Sequence, residues 1–113
     1  AQFHAELLQQ QRQFDPAIQR LQQTIADHPT HPALYQQLAT LHTLANHPPE
    51  SHLALAHYHF LRGETKVALQ QLDYAERASK KTGTNFILFS SIDERRREYE
   101  SKQALEKAEE KHG

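Results

Sequence analysis

Nine histidines in a chain of 113 residues are the side chains best placed for chemistry. Neutral imidazole ligates transition metals and titrates near neutral pH. The closest pairs are His28 with His31 and His57 with His59. Pro29 interrupts the first pair, and a spacing of two on a helix sends the members of the second to different faces. No histidine is followed by glutamate, so the zinc-protease sequence HExxH is absent. Glycine stands only at 63, 83 and 113, which leaves neither a Gly-rich phosphate loop nor a Gly-x-Ser-x-Gly elbow. The expectation is a chain without metal site, cofactor or catalytic residue, and so not an enzyme in its own right.

The composition narrows the partners. There is no cysteine, so disulfides and thiolate metal sites are ruled out and the redox compartment stays open. A formal net charge of -1 gives no electrostatic reason to expect nucleic acid or an anionic membrane. The basic runs Arg95–Arg97 and Lys80–Lys81 are interleaved with or followed by Asp93, Glu94, Glu98 and Glu100. The spacings Asp93 to Arg97 and Glu98 to Lys102 suit a solvated helix face. No apolar run approaches the roughly 18 residues of a membrane span. Residues 1–60 carry ten glutamines and eight histidines but only six Asp, Glu, Lys or Arg, so neutral hydrogen-bonding groups dominate that half. Such a surface meets exposed backbone or polar side chains without a heavy desolvation cost.

These groups must be carried by helices. Leu53, Ala56, Tyr58, Phe60 and Leu61 form an apolar stripe that Gly63 ends, and Val67, Ala68, Leu69, Leu72 and Ala75 recur at helical spacing beyond it. The pattern predicts a helical hairpin in which Ala56, Ala68 and Ala75 permit close approach and Leu72 fills the space between. A first helix is expected from about Gln2 to Arg12 and a second from Asp15 to His28, with Asp15 as N-cap and Pro16 at the first helical position. HPTHP then breaks the chain, Pro32 opens a third helix ending near Asn46, and HPP opens a fourth at Pro49. The hairpin's second helix ends at Ser79 to Gly83, with Lys80 and Lys81 near the negative end of its dipole. From Asn85 onward, FILF followed by SSIDERRREYE predicts a long capping helix that docks at its start, with Phe86, Phe89, Ile92 and Tyr99 on one face, and projects into solvent at its end.

The spacing resembles a tetratricopeptide repeat, whose period is about 34 residues. Leu55, Ala56, Gly63, Ala68, Leu72 and Ala75 fall on its positions. Upstream, Leu7 and Leu8 match a front helix, and Phe14, Ala17, Leu21 and Pro29 a back helix; Ala5 takes the usual glycine's place and Thr24 that of the second alanine. A third partial copy begins at Pro32, where Tyr35, Leu38 and Ala39 match while His42 replaces a tyrosine. Ala17 and Ala68 are 51 residues apart, one and a half periods, so one helix is supernumerary. Either the helix from Pro32 lacks a back-helix partner, or the next helix serves with Ser51 and Leu55 in back positions. The bulk of Tyr58 at the second small site favours the former.

The segment from Pro32 to Glu98, with ALYQQLA, LALAHYHFLRGETKVALQQLDYA and SSIDERRREYE, is similar to the C-terminal part of periplasmic beta-barrel assembly-enhancing zinc metalloproteases of Gram-negative bacteria. In that family a peptidase domain precedes a tetratricopeptide domain with extra, non-repeat helices. The resemblance implies a periplasmic module that docks a protease onto outer-membrane assembly machinery or its barrel substrates. A generic cytoplasmic tetratricopeptide scaffold mediating self-association, or assembly of another complex, is the alternative. Residues 1–113 are expected to form a single all-α domain of about six antiparallel helices, including an extra half-repeat helix. The absence of methionine is expected of a domain taken from a longer protein. Matching the family's front-helix positions selects a partner-binding groove of Gln2, Glu6 and Gln9, then Gln36, Thr40 and Thr43, then Leu53, His57 and Phe60. Leu53 and Phe60 are its apolar anchors for a protein or peptide, unless they face a neighbouring helix.

Overall fold

Apolar residues recur here at helical rather than strand spacing, and a computed structural model shows helix at almost every residue that it describes, 2–83 and 85–112, with side chains at 12–83 and 85–111. Among the described residues there are five helices: α1 Gln2–Asp27, α2 Pro32–Leu44, α3 Pro48–Leu61, α4 Thr65–Thr82 and α5 Phe86–His112.

The expected break between a first and a second helix does not occur, which is why there are five rather than about six. Pro16 lies inside α1, and the proposed N-cap at Asp15 is an interior position. Proline lacks the N–H that would bond the Arg12 carbonyl, but its φ is helical, and no glycine or turn cluster stands beside it to redirect the chain. Downstream of it Ile18 is buried and Leu21 and Ile25 are half-buried, on the side where α1 packs against α2.

Helix ends are set by local chemistry. Proline occupies the first turn of α2 and of α3, where a missing N–H costs no hydrogen bond. At the end of α2 the His47 N–H reaches the His42 carbonyl at 2.8 Å and the Asn46 N–H that of Thr43 at 3.1 Å, with Asn46 at φ 61°. The end of α3 repeats this arrangement 17 residues later: Glu64 N–H to His59 carbonyl at 2.9 Å, Gly63 N–H to Phe60 carbonyl at 3.0 Å, Gly63 at φ 81°. Both are Schellman turns, which need a left-handed residue just past the helix. Asn85 caps α5, its side-chain oxygen accepting from the N–H groups of Ile87 and Leu88 at 3.0 and 3.2 Å.

Each helix packs on its neighbour in the chain, and among the described residues the one further contact is between α3 and α5. The extents of 62 × 29 × 19 Å follow, since helices laid side by side make a long shallow body. The core sits at α3, α4 and α5. Ala56, Ala68, Leu72, Ala75, Ile92 and Tyr99 are buried together, and Leu53, Phe60, Leu69 and Leu88 pack against them. Leu72 lies in the α3–α4 hairpin core as the spacing predicts. α2 does not lack a partner, because α3 serves it as well as α4: Ser51 is buried with its hydroxyl 3.1 Å from the Ala39 carbonyl.

The last helix docks by its middle rather than its start. Ile92 and Tyr99 are buried, whereas Phe86 and Ile87 are 77% and 78% exposed. At about 100° per residue, Leu88, Ile92 and Tyr99 fall within a sector of about 40°, while Phe86 lies over 100° around the helix. Phe86 therefore cannot share their face. Further along, the Thr65 hydroxyl donates to Glu106 at 3.1 Å, and Leu105 is 61% exposed.

Candidate partner-binding surface

On α2 the small polar side chains of Gln36, Thr40 and Thr43 stand in one row, since spacings of four and three keep them on one helix face. With Ala39, Leu44, Ser51 and Leu55 they line a cleft of about 300 Å³. The Thr43 and Ser51 hydroxyls are 2.6 Å apart, and Thr43 also donates to the Ala39 carbonyl at 2.9 Å. Thr40 donates to the Gln36 carbonyl at 3.1 Å. The hydroxyl protons are thus spent inside the fold, and what the cleft offers a visitor is the Gln36 amide, hydroxyl lone pairs and the apolar side chains of half-buried Leu55 and exposed Leu44. Such a lining suits an extended peptide, whose backbone carries both donors and acceptors.

Leu53, His57 and Phe60 are not brought to this cleft. They lie on the far side of α3, more than 100° from Ser51 and Leu55 at about 100° per residue. Phe60 stacks on Tyr99 at 4.1 Å and 15°, and Leu53 is half-buried against the same core. Both apolar candidates thus face a neighbouring helix. Gln2, Glu6 and Gln9 lie outside the residues whose side chains are described. Of the nine groove positions, Gln36, Thr40 and Thr43 share one site.

His57 occupies a network that sequence spacing did not reveal. Its ring stacks on Tyr35 of α2 at 4.9 Å, and its Nδ1 is 3.1 Å from the Tyr99 hydroxyl of α5. Burial, with the charge of Arg95 adding to it, lowers the His57 pKa to about 4, so the ring is neutral near pH 7. A neutral ring lets Tyr99 donate to Nδ1, and burial pushes the Tyr99 phenol up, which keeps its proton in place. The Tyr35 hydroxyl donates to the Pro29 carbonyl at 2.8 Å and ties α2 to the turn before it. One imidazole therefore joins α2, α3 and α5. The only sequence signal was two tyrosines lying 22 and 42 positions from it, which carries no pairing information.

Three further histidines bond locally. His42 and His47 face each other with their Nδ1 atoms 3.2 Å apart, and His59 pairs with Glu64 at 3.1 Å. Burial lowers the His42 pKa, opposed by Glu50 and assisted by His47. Among the described residues no three His, Asp or Glu side chains converge as metal ligands, and no helix is long and apolar enough to cross a membrane.

Comparison with protein-family models, curated proteins and solved structures found no match.

Proposed function

We propose that this chain is a protein-binding module of the tetratricopeptide kind, with no catalysis of its own. The observation that carries the reading is the order of packing: α3 and α4 form a hairpin closed by small residues, and α5 returns to touch α3 as a following front helix would. The 17-residue recurrence of the Schellman turn, half of the repeat's period of about 34, supports the same register. The partner is a protein or peptide segment held against Gln36, Thr40 and Thr43. By the sequence resemblance, the module serves a periplasmic metalloprotease and docks it to outer-membrane assembly machinery or its substrates.

The test is capture of partners by wild type and by Gln36→Glu/Thr40→Glu. Both residues are exposed, so the helical circular dichroism and melting temperature are expected to hold while capture is lost. Unaltered capture by the folded variant overturns the assignment. His57 is left unchanged because a charge there would disrupt the Tyr35 and Tyr99 contacts. The exposed Phe86 and Ile87 favour one second reading, self-association through the start of α5. A light-scattering mass that rises with concentration, and falls to that of a monomer in Phe86→Ser/Ile87→Ser, supports it; a monomer throughout excludes it.

A further inference from the structure

A second cleft, of about 550 Å³, opens between the start of α3 and the end of α4. Pro48, Tyr74 and Ala78 give it apolar walls, and His52, Arg77 and Lys81 stand around them. The Tyr74 ring is held by the His52 ring at 5.5 Å and by the Arg77 guanidinium 6.0 Å from its centroid. His52 is fixed in turn, its Nδ1 lying 2.9 Å from the Gln71 side-chain oxygen. That oxygen only accepts, so Nδ1 carries the proton and Nε2 is left unprotonated in the neutral ring.

The charge around this cleft has one sign. Asp73 and Glu76, the carboxylates nearest in sequence, are drawn away from Arg77 and Lys81 by Arg96 of α5, whose Nη1 is 2.6 Å from Asp73 and whose Nη2 is 2.9 Å from Glu76. Glu76 also lies 3.6 Å from Lys80. Arg77 and Lys81 make no ion pair among the described residues, and no Asp or Glu lines the cleft. Two like charges one turn apart on a helix repel each other. The carbonyl end of α4 offsets part of this for Lys81, which is in the last turn, but Arg77 lies a turn further in.

We propose that the cleft binds an acidic peptide segment, a large apolar side chain resting on Tyr74 and Ala78 with a carboxylate held between Arg77 and Lys81. The guanidinium offers a planar fork of donors for the carboxylate and the ammonium adds a mobile point charge. The site shares no lining residue with the Gln36 cleft, so either can fail without the other.

The experiment is a fluorescence-anisotropy titration with a labelled, end-capped peptide carrying one phenylalanine flanked by glutamates, against the same peptide with glutamines. Wild type is expected to bind the glutamate peptide about tenfold more tightly or better, a preference worth about 1.4 kcal/mol. Arg77→Gln/Lys81→Gln is expected to abolish that preference, Tyr74→Ala to weaken both peptides, and Gln36→Glu/Thr40→Glu to change neither. The reversed pair, Arg77→Glu/Lys81→Glu with a lysine-flanked peptide, is expected to restore binding and shows that the altered protein is still folded. Equal affinity for the two peptides, no saturable binding by wild type, or binding indifferent to the double variant overturns the proposal.

Discussion

The two sides of α3 solve one packing problem in different ways. Both hairpins close with the same Schellman geometry, and related positions recur at a spacing of 17: Ala39 and Ala56, His42 and His59, Asn46 and Gly63, Ser51 and Ala68, Leu55 and Leu72. On the α4 side the centre of the seam is apolar, with Ala56, Ala68, Leu72 and Ala75 all at 0% exposure, and the buried Thr65 and Ser79 lie toward the ends of α4. On the α2 side it is mixed, since Ser51 and His42 are buried and bonded while Leu55 still reaches a cleft. Methyl groups that meet closely exclude water from both helices, whereas a buried hydroxyl must keep a partner and so holds its surroundings to one geometry. The α2 side is thus left with polar groups and space that a partner can use. The buried centre of the α4 side is committed to stability, and open space is left there only toward the end of α4.

Four predictions probe that contrast, beginning with the largest effect. Leu72→Ala is expected to cost about 2 to 5 kcal/mol, and Leu55→Ala, its counterpart beside the open cleft, clearly less. Denaturant unfolding of the two variants measures the gap; equal losses would erase the distinction between the seams.

His57, where the two sides meet, makes the fold sensitive to acid. Its pKa is about 4 in the fold against the ordinary 6.5, so as pH falls the unfolded chain takes up this proton first. Its neutral form contributes fully above pH 6.5, and the contribution is lost between there and about 4, amounting to about 3 kcal/mol. Unfolding free energies at several pH values, for wild type and His57→Gln, are expected to show a smaller acid loss in the variant. Identical profiles would remove the histidine from the account.

The turns themselves give the next effect. Gly63→Ala places a Cβ in open space but at φ 81°, which is expected to cost about 1 kcal/mol or slightly more from backbone strain alone. Asn46→Gly, the reciprocal change at φ 61°, is expected to gain a few tenths of a kcal/mol at most, because asparagine already tolerates this region. A loss of stability in Asn46→Gly would mean that the side chain is needed for more than its backbone conformation.

The buried hydroxyl gives an effect of similar size. Ser51→Ala is expected to cost about 1 kcal/mol, since Thr43 still serves the Ala39 carbonyl. Ala68→Ser, which puts a hydroxyl into the dry seam, is expected to cost more. Comparing melting temperatures of this pair shows whether the seams differ in their demand for hydrogen bonding.

Some of this was legible because its causes are local. Helical periodicity, the prolines opening α2 and α3, Gly63 as a terminator and Leu72 in the hairpin core follow from interactions within a few residues or one apolar stripe. The row of Gln36, Thr40 and Thr43 is legible for the same reason. The continuity of α1 was not, because a proline inside a helix and one at its first turn both have helical φ, and the surrounding chain decides between them. Nor was the docked face of α5, where four closely spaced apolar residues offered more than one stripe and the packing against α4 selected the one through Leu88, Ile92 and Tyr99. The assignment of charges was settled at the greatest distance. By spacing alone Asp73 belongs to Arg77, four residues on, as Glu76 belongs to Lys80. The fold brings Arg96 from 20 positions beyond Glu76, with α5 lying alongside α4, and that half-buried guanidinium takes both carboxylates at once. A fork with two anions and less water around it takes Asp73 from Arg77 and leaves Glu76 only a longer contact with Lys80, and only the tertiary structure can bring that competitor within reach.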